Sequence, residues 1–270
     1  MSKMHIPFSV WHDAVSKRRS TRQYAPKPIE AASLEAMRRV CAEFRPFQSA
    51  RAVLVVDPSE DVFRGIPGGY GKVSDASALV AFVGNMPSPD VQEAIGYTGE
   101  GVILEATALG LATCWVGGFF SPKRAAAIAQ VAPNERVVAV TPVGYAKEGS
   151  SFQEKAMSRF GRNWQRRPLS DLVRGLEEKD RPDWIRAALE AARLAPSAMN
   201  RQPWRFRVDK NSITVSAGSA VNPTMVVSKR LDCGIAMLHI EIGALSAGVK
   251  GSWELLKSPE VARFKVGATG

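Results

Sequence analysis

Two long, largely apolar stretches, Val91–Gly110 and Leu231–Gly248, constrain this chain more than any other feature. Each is long enough for about five helical turns; the first is mostly apolar towards its C-terminal half and the second largely apolar. A helix of that kind cannot lie on a surface and has to be wrapped by other elements. The two stretches also end alike: Leu109-Gly-Leu-Ala-Thr-Cys-Trp115 aligns with Ala247-Gly-Val-Lys-Gly-Ser-Trp253, sharing the Gly and the Trp. Around each, the same order recurs of helix, loop, strands and long helix. The pattern predicts a duplicated unit, with a period far too long for a solenoid.

Local signals fill in the order. Pro7 followed by Phe8, Val10, Trp11 and Val15 predicts a helix ending at Lys17-Arg18-Arg19. Pro28 opens a second, in which Ile29, Leu34, Met37, Val40 and Cys41 recur at helical spacing. Ala52–Val56, Ala78–Val83, Ala112–Val116 and Val137–Val143 read as strands. Ser121-Pro122 reads as the N-cap and first turn of a helix reaching Val131. Ala146–Arg167 is polar and basic, a linker or wrapping arm. After Pro168 the pattern restarts with a helix at Trp184–Leu194 and strands at Trp204–Val208, Ile213–Val215 and Val249–Leu255. The fold class is therefore α+β, with two related α/β lobes at 1–167 and 168–270.

Composition narrows the function classes. Hydrophobic residues at 45% and charged residues at 23% match an ordinary soluble globular protein. No run of about 18 apolar residues predicts a membrane span, and Met1–Phe8 lacks the apolar core of a signal peptide, so a cytoplasmic location is expected. Cys41, Cys114 and Cys233 lie far apart in apolar stretches and read as buried, reduced thiols. His5, His12 and His239 are too scattered for a metal site or a nucleophilic triad. The net charge is +10, and the densest basic cluster is Arg159, Arg162, Arg166 and Arg167, with Phe160 and Trp164 between them. A solvated basic face and weak polyanion binding both account for it. A small phosphorylated ligand explains part of the charge with less strain than nucleic acid does.

Three segments carry residue types suited to such a ligand. Arg18-Arg-Ser-Thr-Arg22 offers forked cationic donors for phosphate, or serves the dipole of the helix it ends. In Gly110–Phe119, Gly117 and Gly118 let backbone approach a flat ring, unless the segment is only a tight helix-to-strand connection. In Ala195–Phe206, Pro196 and Pro203 stiffen a loop that presents Ser197 and Asn200, while Trp204 belongs to the core. Lys72, just before an apolar strand, is either a fourth contributor or a solvent-facing lysine.

Together these segments resemble the nitroreductase-like FMN-dependent oxidoreductases, and best the two-lobed, single-chain branch of that family. The resemblance implies a nitroreductase-like fold whose two lobes form a pseudo-dimer. It also implies FMN as cofactor, NAD(P)H as donor, and a nitroaromatic, quinone or similar acceptor. Residue by residue, it places Arg18, Arg19, Ser20 and Arg22 at the flavin phosphate and ribityl chain. Trp115, Val116, Gly117 and Gly118 would back the ring, with Lys72 at its pyrimidine edge, where a cation stabilises the charge formed on reduction. Pro196, Ser197, Ala198 and Asn200 would reach in from the other lobe, and Arg166 would add to the phosphate site. The family's second basic residue there falls on Trp164, a departure.

Ordinary members are homodimers with two flavins. Here the loop follows both other motifs, the first half reads Arg45-Pro-Phe-Gln-Ser-Ala-Arg51 in its place, and the second half reads Lys250-Gly-Ser-Trp253 where the Gly-Gly belongs. The retained pieces are complementary, which implies one composite site in a monomeric pseudo-dimer. The alternatives are a non-catalytic or cofactor-less protein of the same fold, or a polyanion-binding protein using Arg159–Arg167.

Overall fold

The computed structural model describes residues 4–58, 62–63, 73–148, 165–218 and 227–267. Its first lobe runs α1 (Phe8–Lys17), α2 (Ala31–Glu43), β1 (Ala50–Val56), β2 (Ala78–Asn85), α3 (Val91–Ala108), β3 (Ala112–Thr113), α4 (Pro122–Ala129) and β4 (Glu135–Gly144). The second runs α5 (Leu169–Leu172), β5 (Val173–Gly175), α6 (Asp183–Arg193), β6 (Trp204–Asp209), β7 (Ser212–Ala217), α7 (Lys229–Ser246), β8 (Gly251–Leu255) and β9 (Glu260–Val266).

The two sheets share one plan. The first has the order β1-β2-β4-β3, all antiparallel, and the second β5-β6-β7-β9-β8, antiparallel except where β5 joins β6. Leaving β5 aside, the orders are the same, and in each the long helix enters between the second and third strands. Each middle pair also carries a register shift, at Phe82/Val83 and at Val215/Ser216. Burial follows from what covers each sheet. β2 lies between α3 and α4 and is buried along nearly its whole length, as its continuous apolar run requires. β6 alternates buried Trp204, Phe206 and Val208 with Arg205, Arg207 and Asp209, the period of a strand wet on one face.

α3 and α7 meet along the centre of the molecule. At their crossing Gly96 lies against the carbonyl of Leu231, and Gly234 lies reciprocally against the carbonyl of Glu93; a Cβ on either glycine would collide with that oxygen. Close approach buries Glu93, which Arg230 meets with a two-pronged bond (Nε–Oε2 2.9 Å, Nη2–Oε1 2.5 Å). One hydrophobic core then runs unbroken from Trp11 and Ile103 in the first lobe to Ile240 and Phe264 in the second.

Several sequence expectations are corrected here. The second helix begins at Ala31, three residues after Pro28. Ala112–Val116 is not one strand: the chain leaves the sheet after Thr113 and touches it again only where Val116 pairs with Val140. Ser121 precedes α4, but its side chain makes no cap bond, and its N–H donates to Val62 instead (2.8 Å). β9 has no clear periodic signal, since Val261, Ala262 and Phe264 are buried while Arg263 lies between them. Most of the arm expected at Ala146–Arg167, including Arg159, Arg162 and Trp164, lies outside the described residues.

The crossing makes a stability prediction. Gly96→Ala should cost about 3 kcal/mol or abolish folding, because backbone cannot yield as a flexible side chain does. Gly118→Ala, whose Cβ meets nothing within 4 Å, should change stability by less than about 0.5 kcal/mol. Chemical denaturation of both variants checks the contrast; equal losses contradict it.

Candidate functional site

The end of α1 sets the first wall of the site. Arg18 closes the helix through its N–H to Ala14 (2.8 Å). Arg19 folds back onto the same helix end, donating to the carbonyls of Ser16 (2.7 Å) and Arg18 (2.8 Å). One nitrogen of its guanidinium, Nη1, is thus engaged at the helix terminus. The chain then runs beside β3, where Ser20 pairs with Thr113 and Thr21 donates to the Thr113 carbonyl (2.8 Å). Next to it, Ser74 exchanges backbone bonds with Arg22 and Tyr24. Lys72 lies outside the described residues, two positions before that contact.

The second wall is the loop after α6. Buried Pro196 leads into it, and a short turn follows at Ala198–Asn200. Met199, Asn200 and Gln202 have φ of 49°, 52° and 46°. None is glycine, and a side chain in this region costs roughly 1 kcal/mol or more, so surrounding bonds must hold the shape. They do. Ser197 Oγ accepts from Gln202 N–H (2.9 Å), and Asp232 accepts from Ala198 N–H (3.0 Å) and from Arg201 Nε (2.6 Å). Arg166 donates to Asn200 Oδ1 (2.7 Å) and to the Leu194 carbonyl (2.9 Å), and the Gln202 side chain ties in Gln165 and Arg167. Met199 is left 77% exposed.

The walls converge on a narrow cleft of about 60 Å³. Trp115 and Gly117 come from the first lobe; Ser197, Ala198, Val227 and Asp232 come from the second. The expected meeting of the Gly-Gly segment with the displaced loop is therefore present. Two of the expected residues also make contacts within the protein. Val116 is stitched to β4 by a pair of 2.9 Å backbone bonds with Val140. The space left by the missing side chain of Gly117 is taken by Val227, whose Cγ2 lies 2.6 Å from where a Cβ would stand, whereas Gly118 is open.

Charge concentrates behind this cleft. Arg18 is only 8% exposed, and its Nε finds no partner among the described residues; Nη1 reaches Ser20 Oγ at 3.5 Å. Burial lowers its pKa, and the neighbouring charge of Glu100 opposes that fall. Arg166 is pushed down to about 10, first by burial and then by the charge of Arg18. Two cations held together with an open N–H form a site that a multi-dentate anion completes. This donor set fits a phosphate.

Behind the arginines stands a group that the linear sequence does not single out. Glu100 of α3 is fully buried, accepting from the Trp115 indole (2.7 Å) and contacting His239 Nε2 of α7 (3.0 Å). His239 Nδ1 faces the Ala191 carbonyl (2.9 Å). The available signal is a charged residue inside a helix that must be buried, which demands partners. Glu93, Glu100, Asp232 and His239 all meet that description.

At the position related by the pseudo-two-fold, the seam is aromatic. Trp253 and Tyr97 both donate to Glu241 (2.7 and 2.6 Å), and Phe47 packs edge-on to Tyr97 at 5.3 Å. The segment that replaces the loop in the first half thus supplies one ring, Phe47, to this cluster.

Asp232 gives a pH prediction. Burial raises its pKa to about 6, against the pull of Arg201. A raised carboxyl contributes stability that is complete below its ordinary value near pH 4 and is lost as pH rises through 6. Asp232→Asn keeps an acceptor for Ala198, so wild-type unfolding free energy should fall relative to this variant between pH 4 and 7. Parallel pH curves would contradict the assignment.

With this geometry in hand, comparison with known proteins places the chain. The profile of the family described as "Putative TM nitroreductase" matches residues 11–244. No curated protein matches the chain. Among solved structures, a putative nitroreductase from Thermotoga maritima superposes with a TM-score of 0.65 at 18% identity, covering 98% of this chain and 97% of that one. A nitroreductase family protein from Clostridium difficile is 22% identical over 60% of this chain and 94% of its own, with a TM-score of 0.42. A nitroreductase with bound FMN from Bacteroides fragilis is 21% identical over 52% of this chain and 89% of its own, with a TM-score of 0.41. The Thermotoga protein matches through both lobes and establishes the fold. The chain belongs to the putative TM nitroreductase family and has the nitroreductase fold in two-lobed, single-chain form.

Proposed function

We propose that the protein is an FMN-dependent oxidoreductase with one composite flavin site in the seam between its lobes. The observation that carries this reading is buried Arg18, whose Nε has no partner among the described residues, beside the partly buried cation Arg166. FMN, when bound, supplies electron transfer from NADH or NADPH to a nitroaromatic, quinone or similar acceptor. The chain's part is to bind and orient it. Arg18 and Arg166 would neutralise the phosphate, and Ser20 would add a hydroxyl donor from the same wall. Ser197, Ala198 and Asn200 would enter from the second lobe, in a loop whose strained backbone at Met199, Asn200 and Gln202 is held by Asp232, Arg166 and Ser197. Trp115, locked by Glu100 and packed on Phe82 with ring centroids 4.7 Å apart, would form a rigid wall that excludes water. Arg22 and Lys72 would complete the first wall.

The shared core argues that both walls belong to one chain, so a monomer would hold a complete site. Membership of the putative TM nitroreductase family supports the cofactor. One observation favours a second reading, a protein of this fold that carries no flavin. The cleft of about 60 Å³ is smaller than the roughly 300 Å³ or more typical of small-molecule sites, and Val227 fills the space at Gly117.

Spectra separate the readings. The purified protein should be yellow, or become so with FMN, and bleach anaerobically with NADH or NADPH. Arg18→Ala should weaken FMN binding at least about tenfold while leaving riboflavin, which lacks the phosphate, nearly unaffected. Asn200→Ala should weaken both. Protein that stays colourless with added FMN supports the second reading; unchanged FMN affinity in Arg18→Ala overturns the phosphate assignment.

A further inference from the structure

His239 is enclosed by acceptors. Its Nδ1 lies 2.9 Å from the Ala191 carbonyl and its Nε2 lies 3.0 Å from Glu100 Oε1, with both side chains fully buried. A neutral imidazole has one N–H and one lone pair. If Nδ1–H donates to the carbonyl, the lone pair of Nε2 faces a carboxylate oxygen; with the other tautomer, a lone pair faces the carbonyl. Either arrangement sets two acceptors against each other at contact distance, away from water, at a cost that buried polar groups do not ordinarily bear. One further proton removes the conflict. It sits on the ring, giving imidazolium and carboxylate, or on Glu100 Oε1, which then donates to Nε2. In both forms the pair has no net charge. The second oxygen, Oε2, meanwhile accepts from Trp115 (2.7 Å).

That balance matters because the pair stands at the arginines. Glu100 acts electrostatically on both Arg18 and Arg166, and Cys114, Arg19 and Arg193 are the other charged or titratable groups acting there. An ionised Glu100 beside a neutral His239 would cancel one arginine and weaken any dianion bound by the two. We infer that Glu100 and His239 hold one proton between them, and so position Trp115 while leaving the positive charge of Arg18 and Arg166 available to a doubly charged ligand. The pair is a positioning element that sets the charge of the anion site from within the helix pair joining the lobes. The inference rests on the seam being an anion site, as the flavin reading requires.

Sulfate is a suitable probe, being a dianion throughout the accessible pH range, and calorimetry of the full chain freed of flavin reads its affinity. Glu100→Gln keeps an acceptor for Trp115 and a donor for His239 Nε2, and removes no net charge if the pair is neutral. Sulfate affinity should then stay within about threefold of wild type. An ionised Glu100 with neutral His239 instead predicts a tightening on the order of tenfold or more, and that result overturns the inference. His239→Leu should expose the arginines to an ionised Glu100 and weaken sulfate about tenfold, with affinity restored in the double variant. A second measurement needs no substitution: the side-chain nitrogen spectrum of histidine-labelled wild type should show Nδ1 protonated together with a proton in the Nε2–Oε1 bond, and a ring site holding only one of these two protons overturns the inference. Failure of wild type to bind sulfate or FMN would instead remove the anion-site reading, while the nitrogen spectrum still decides the state of the pair.

Discussion

The backbone-to-backbone crossing of α3 and α7 is the constraint from which the rest of this molecule follows. Gly96 and Gly234 each lie against a carbonyl of the opposite helix, and Arg230 closes the gap on buried Glu93. Such an approach leaves no room for an intervening layer, so the two lobes have to share one core. It also creates two seams, one on either side of the helix pair, related by the pseudo-two-fold. The same two helices carry buried Glu100 and His239 at the floor of the seam proposed to hold the flavin.

The seams have diverged in chemistry while keeping a common frame. Trp115 and Trp253 stand at matching places after α3 and α7, and each indole donates to a carboxylate of a central helix, Glu100 and Glu241 respectively, at 2.7 Å. Beyond that anchor they part. Around Trp115 the walls bring buried Arg18, partly buried Arg166 and a strained polar loop; around Trp253 they bring Tyr97 and, packed on it, Phe44 and Phe47. A buried cation with an open donor needs an anionic partner to offset its desolvation, whereas an aromatic cluster needs only contact. On the proposed reading the first seam is completed by an anionic ligand, whereas the second is filled by its own side chains.

Much of the frame was legible in the sequence. The largely apolar stretches Val91–Gly110 and Leu231–Gly248 announced the two central helices, and the shared Gly and Trp announced their equivalence. The meeting of Gly117 with Ser197 and Ala198 was legible from the order of motifs. What could not be read was the partner of each buried charge. Glu100 and His239 lie 139 positions apart, and only the crossing brings them together. Arg19 looked like Arg18 in the linear sequence, yet the geometry of the helix end sends one guanidinium back to carbonyls and the other into the seam. The role of Val227 was equally hidden, since filling a glycine's space leaves no local pattern. Strand β9 escaped because its burial comes from the neighbours that pair with it, β7 and β8.

The central claim is that one chain holds one anion-anchored flavin site, and counting flavin tests it most directly. Spectroscopic titration of the full chain with FMN, with its mass in solution measured on the same sample, should reach an end point of one flavin per 29.2 kDa chain in a monomer. Two flavins per chain, or a site completed only in a dimer, would contradict the account.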